Sequence, residues 1–127
     1  MDKLIKVSVD EITIADKVVY ADTAQLRKKG VLGRLSLAPD EGVLLAMPPR
    51  PGLSIMYSIH MFGIPFEMAL IWLDQDGNIL DEKLAKPGKI YFPKGIFSNT
   101  RFILEVHPDH YPLLAKSKVI QWEDVSG

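Results

Sequence analysis

The side chains best placed for chemistry are His60 and Glu67, which bracket the irregular run Met61-Phe62-Gly63-Ile64-Pro65-Phe66. An imidazole can act as acid, base or ligand near neutral pH. A carboxylate at the mouth of the apolar run Met68-Ala69-Leu70-Ile71-Trp72-Leu73 is expected to be partly desolvated, which favours its protonated form. Together they suit the acid/base pair of a small hydrolytic enzyme, but only if the fold brings them together, because their spacing across a Gly-Pro loop fixes no distance. Each also has a plainer reading. Glu67 can bond the backbone amides of its own loop, and His60 can pack among Ile59, Met61 and Phe62 with a single hydrogen bond. Arg101 and Glu105 share one face of an expected strand, as either a charged stripe towards a ligand or a solvated edge.

Other constellations are weaker. His107-Pro108-Asp109-His110 could bring two imidazoles and a carboxylate to one metal, yet Pro and Asp are also ordinary helix-start residues, and no metal is expected. Ser58, Ser98 and Thr100 lack a nucleophile-elbow setting, and Gly30-x-x-Gly33 is neither a phosphate loop nor a dinucleotide fingerprint. The chain has no cysteine, which removes disulfides, thiolate metal sites and cysteine nucleophiles. With 15 Lys and Arg against 16 Asp and Glu, the net charge of -1 gives no global field for a polyanion. Nucleic acid is therefore not a favoured partner, and Arg27-Lys28-Lys29 with Arg34 reads as a solvated helix face. The start Met1-Asp2-Lys3-Leu4-Ile5-Lys6 lacks a signal-peptide core, and no apolar run approaches the roughly 18 residues a membrane span needs, so the expected location is cytoplasmic, without a membrane.

These residues need a scaffold to position them. At 127 residues, 47% hydrophobic and 24% charged, the chain is about one domain long and can bury a core. Branched and aromatic residues up to Tyr20 predict one or two strands, and Asp22-Thr23-Ala24-Gln25 predicts a helix start, with Gly30 ending the helix after about Lys29. Val43 to Met47 reads as a strand, Pro48-Pro49-Arg50-Pro51-Gly52 as an extended surface loop, and Ile55 to Ile59 as extended. Phe66 to Leu73 and Ile79-Leu80 form the clearest hairpin, around Asp74-Gln75-Asp76-Gly77-Asn78. Further strands are expected at Ile90-Tyr91-Phe92, Phe102 to Val106 and Val119 to Trp122, with a short helix opening at His107-Pro108. Six or seven short strands and two short helices make an α+β fold on a compact, mainly antiparallel β-sheet, with barrel-like closure an open alternative, in a single domain over residues 1–127.

Several segments also form an ordered set of motifs. They are Arg27-Lys28-Lys29-Gly30-Val31-Leu32-Gly33-Arg34, then Pro39-Asp40-Glu41-Gly42-Val43-Leu44-Leu45, then Ser58-Ile59-His60-Met61-Phe62 with Pro65-Phe66-Glu67. The hairpin Leu73 to Leu80 and the run Arg101-Phe102-Ile103-Leu104-Glu105-Val106 follow. In this order they resemble the domain of unknown function 192 family, from about Asp16 to Trp122. Two departures stand out: Glu67 replaces the more usual aspartate, and the stretch from Phe62 to Pro65 is shorter than the family's version. The resemblance implies a compact β-rich fold and no established activity, substrate or cofactor.

The expectation is thus a noncatalytic module that binds a small molecule or a peptide or protein partner. Its binding face comprises His60, Phe62, Glu67 and Arg101, and no cofactor is predicted. The alternative is a small hydrolytic enzyme using Glu67 and His60, and oligomeric state is open.

Overall fold

Alternation of buried and half-buried residues over Leu4–Val9 (β1) and the branched stretch Ile12–Ala21 (β2) forms an antiparallel pair. Asp10 and Glu11 both take positive φ at its turn, the geometry that matches strand twist in a two-residue hairpin. The computed structural model describes residues 2–50 and 52–125. Helix α1 (Ala24–Lys29) begins where Thr23 caps it by accepting a bond from the Leu26 amide at 3.1 Å. It ends at Gly30, whose amide reaches Leu26 O and whose φ is +45°, a conformation that strains any residue with a Cβ.

The chain then enters Glu41–Ala46 (β3), which pairs parallel to β2 because the connection through α1 is long enough to cross over. Pro48, Pro49 and Arg50 lie outside strands as expected, and Pro51 lies outside the described residues. Gly52–Leu53 (β4) and Ile59–His60 (β5) flank a 3-10 turn, Ser54–Tyr57, where the sequence pattern predicted extended chain. Tertiary bonds overrode that pattern: Trp72 Nε1 donates to Tyr57 O at 2.9 Å in the core, and the Tyr57 hydroxyl donates to Arg50 O at 2.9 Å.

Met68–Leu73 (β6) and Ile79–Ala85 (β7) form the expected hairpin. Its turn is held by Asp74 Oδ1, which accepts from the amides of Asp76 and Asn78 at 2.9 Å each. Burial works to raise the Asp74 pKa, but these bonds and that from the Asn78 side chain hold it below the usual carboxylate value. Ile90–Tyr91 (β8) pairs only with β5, and Phe97–Ser98 (β9) only with β4. Phe102–Val106 (β10) returns to the main sheet. A turn at Pro108–His110 then leads into α2 (Tyr111–Leu114), and Gln121–Asp124 (β11) closes the chain against β1.

The main sheet has seven strands in the order β11-β1-β2-β3-β10-β6-β7, antiparallel except for β2 and β3. This is the expected α+β class with two short helices. The barrel alternative is corrected: β11 and β7 are opposite edges, and among the described residues only an isolated bridge between Asn78 and Val119, just outside both strands, links them, so the sheet stays open. Strands β3, β10 and β6 at its centre are buried on both faces. One face packs Leu44, Ile71 and Leu104 against the β1/β2 pair and Leu114 of α2. The other packs Val43, Leu70, Trp72 and Ile103 against Tyr57, Met61 and Ile64. No helix among the described residues is long and apolar enough to cross a membrane.

Candidate functional site

The second face carries the irregular loop between β5 and β6, and backbone pairing decides which of its side chains point outward. Met61 N bonds Lys89 O at 2.7 Å and Met61 O accepts from Gly88 N at 3.0 Å, while Met61 and Ile64 fill the core. The residues between and beside them are left outside. His60 and Phe62 are exposed and stack on one another, ring centroids 5.5 Å apart. Glu67 is also exposed, not partly buried at the mouth of the strand.

Of the four residues expected to make one binding face, His60 and Phe62 are brought together. No hydrogen bond or ion pair joins His60 to Glu67. Arg101 sits at the other end of the sheet. Antiparallel pairing of β6 with β10 sets Ala69 opposite Val106 and Leu73 opposite Phe102, which separates Glu67 from Arg101 by on the order of 20 Å along the strands. There the Arg101 guanidinium donates to Met47 O and lies over the Phe102 ring, 5.0 Å from its centroid. It borders an open hollow of about 370 Å³ with Arg50, Asp74 and Asp76, whose best-placed acid, Asp74, is already committed to its own turn.

His60 instead lines a cavity of about 180 Å³ with Ser58, the end of α1 and Glu105. Glu105 is the residue that the sequence reading passed over as part of a stripe or a solvated edge. Strand β10 is central, so the edge alternative is corrected: Glu105 is 3% exposed and stands opposite Val43 on β3 and Leu70 on β6. Its Oε1 is buried with no hydrogen-bond partner, and a Cβ at Gly30 would lie 3.1 Å from it. Burial among apolar neighbours pushes its pKa up to about 8. The available signal was a lone acid inside the apolar run Phe102-Ile103-Leu104-Glu105-Val106, since a buried polar residue is the informative one.

Helix α1 forms the opposite wall. Arg27 Nη1 donates to Ala46 O at 3.0 Å, tethering the helix to the end of β3, and Lys28 and Lys29 complete a basic last turn beside Gly30. The residues lining the cavity thus include one buried acid, three basic residues of α1 and a histidine. The two other histidines are engaged elsewhere: His107 Nδ1 accepts from the Asp109 amide at 3.0 Å, and His110 Nε2 lies 2.6 Å from Pro39 O. Among the described residues, no group of three or more His, Asp and Glu could hold a metal ion.

A model of the DUF192 family, described as "Uncharacterized ACR, COG1430", matches residues 5–113. The chain belongs to this family. The curated UPF0127 protein TK1120 of Thermococcus kodakarensis is 32% identical over 78 residues, 61% of this chain and 47% of that protein. The chain therefore spans about half the length of the curated relative it matches. Two crystal structures share the fold at 18% identity. One is a protein of unknown function from Novosphingobium aromaticivorans, with TM-score 0.71, covering 94% of this chain and 83% of its own. The other is a Sinorhizobium meliloti protein whose name proposes a role as a transcription regulator, with TM-score 0.72, covering 98% of this chain and 94% of its own. At that identity the likeness extends to the fold alone. The family motifs around Arg27 to Gly30, Ser58 to His60 and Glu105 come from segments far apart in the sequence, and the fold gathers them around one cavity.

Proposed function

We propose that this chain is a noncatalytic, cytoplasmic binding module that holds a small molecule in the cavity between α1 and β5, over Glu105. The observation that carries this reading is the Glu105 carboxyl, which is buried with one oxygen unpartnered in the wall of a cavity. Buried polar groups are nearly always hydrogen-bonded, and leaving one unmatched costs about 1–3 kcal/mol. A ligand that bonds it would recover that cost.

Volume sets how much of a ligand this half-open cavity can hold. An engineered cavity of about 150 Å³ accepts benzene, so a cavity of about 180 Å³ suits roughly six to eight non-hydrogen atoms. This favours a small molecule over the peptide or protein partner also considered. Phe62, stacked on His60, extends the face outside the cavity, whereas Arg101 is too distant to take part. The hydrolytic alternative loses support because Glu67 stands outside the cavity that His60 lines.

A fragment panel read by thermal shift tests the proposal. Ligand at about 100 times its Kd stabilises by about 2.7 kcal/mol, worth a few degrees in Tm for a domain of this size. Binders are expected for the wild type and not for Ser58→Trp, which fills the cavity from its exposed side. Binding that persists undiminished in Ser58→Trp, or no binder of any class, would contradict it.

A further inference from the structure

We infer that the cavity takes a small carboxylate, whose oxygen accepts a hydrogen bond from the Glu105 carboxyl while Arg27, Lys28 and Lys29 of the opposite wall balance its charge. The inference rests on the cavity being a binding site, and adds the chemical class of what binds.

Glu105 stands out by what it lacks. No cation pairs with it, and its strand neighbours Val43 and Leu70 are apolar. A carboxyl in such surroundings keeps its proton, and burial alone holds it to about pH 8. The protonated group presents a hydroxyl donor, and the complement of a buried O–H donor is an oxygen acceptor. Hydrogen bonds from a carboxyl to a carboxylate are among the short, strong ones, because the acceptor is charged.

The remaining walls choose between acceptors. Helix α1 contributes Arg27, Lys28 and Lys29, β5 contributes His60, and β3 contributes only Leu45. Arg101, which precedes β10, lies beyond the far end of that strand. Besides Glu105, the ionisable residues that line the cavity are all basic, and with Glu105 protonated this lining disfavours an ammonium ligand and favours an anion. They outweigh the roughly half-unit negative charge that the end of a helix carries. An anion that fills the space with roughly six to eight non-hydrogen atoms and lies against the apolar Leu45 and Ile64 is a short-chain or ring carboxylate rather than a bare inorganic ion.

Binding of this kind takes place with Glu105 protonated, so affinity falls as the competent fraction falls, about tenfold for each pH unit above 8. The test is an NMR titration of the full chain with butyrate, benzoate, butyramide, butylamine and inorganic phosphate, followed at the amides of Gly30 and Glu105 and repeated at rising pH. Butyrate and benzoate are expected to bind at least about tenfold more tightly than butyramide and butylamine, with affinity declining above pH 8. In Glu105→Gln, which keeps a neutral donor, binding should persist and the decline vanish. In His60→Asn the decline should persist.

Preference for butylamine, butyramide or phosphate overturns the carboxylate and leaves the cavity reading standing. Butyrate affinity that is flat with pH, or a decline lost in His60→Asn rather than in Glu105→Gln, overturns the role of the Glu105 proton. If none of the five compounds moves either amide, both readings fall.

Discussion

Two acids lie buried among the described residues, Asp81 at 7% exposure on β7 and Glu105 at 3% on β10, and they are used in opposite ways. Asp81 Oδ1 accepts from the Glu82 amide and Oδ2 from the Lys94 amide, each at 2.9 Å, with Lys83 Nζ 3.8 Å away. Its oxygens tie the segment after β8 to the edge of the sheet. Glu105 ties nothing: it has apolar neighbours on both flanking strands, an unpartnered oxygen and a cavity beside it. A buried carboxyl whose oxygens are fully committed is architecture. One that the fold leaves unmatched destabilises the chain, and is readily explained if it meets something that the chain does not contain.

That contrast can be broken most sharply at Glu105. In the unfolded chain its carboxyl ionises near 4.5, whereas in the folded one it holds its proton to about 8. The unfolded state thus binds fewer protons across that window, so stability falls as pH rises from about 4.5 to 8 and then levels off. Glu105→Gln removes this linkage. It should be more stable than wild type by up to about 4 kcal/mol at pH 8 and above, and should lose the advantage below pH 4.5, as urea unfolding across pH would read.

Asp81→Ala should move the other way, costing about 2–3 kcal/mol by leaving the Glu82 and Lys94 amides without their acceptor, and this loss should appear in the same unfolding experiment at pH 7. Gly30→Ala should cost about 1–2 kcal/mol, combining an unfavourable φ of +45° with crowding of Glu105 Oε1, and should weaken ligand binding along with stability. Glu67→Ala, at an exposed position, should change stability by no more than about 0.5 kcal/mol and leave cavity binding intact. Loss of binding in Glu67→Ala would return that residue to the site.

Much of the scaffold was legible because local chemistry and tertiary structure agree. The hairpin around Asp74 to Asn78, the strand at Val43, the glycine end of α1 and the helix opening at Pro108 follow from turn residues and apolar runs. The 3-10 turn at Ser54–Tyr57 was not legible, since bonds from Trp72 and to Arg50, both distant in sequence, impose it. The open sheet was hidden for a related reason: edge pairing depends on how seven strands twist together, and no residue encodes that alone.

The site was legible in part. His60 stood out by type and neighbourhood and does line the cavity, and its stacking on Phe62 follows from placing the two on one exposed turn. Glu67 drew attention because it follows Pro65-Phe66, but Met61 and Ile64 are the loop residues that enter the core, which leaves Glu67 in solvent. Glu105 sits on one face of β10, whereas Arg101 falls just before the strand's first residue, Phe102. Which end of that face is closed over could be known only from the strands and helix packed against it.

The measurement that tests the account most directly is a carboxyl-carbon NMR titration of Glu105, assigned by its loss in Glu105→Gln, with and without saturating butyrate. The free protein should show a midpoint of about 8, and butyrate should move it higher, because bound ligand favours the proton that it accepts. A midpoint that butyrate leaves unmoved would contradict the proposed ligand contact. A midpoint in the ordinary carboxylate range would show that Glu105 is not the unmatched buried acid on which the account rests.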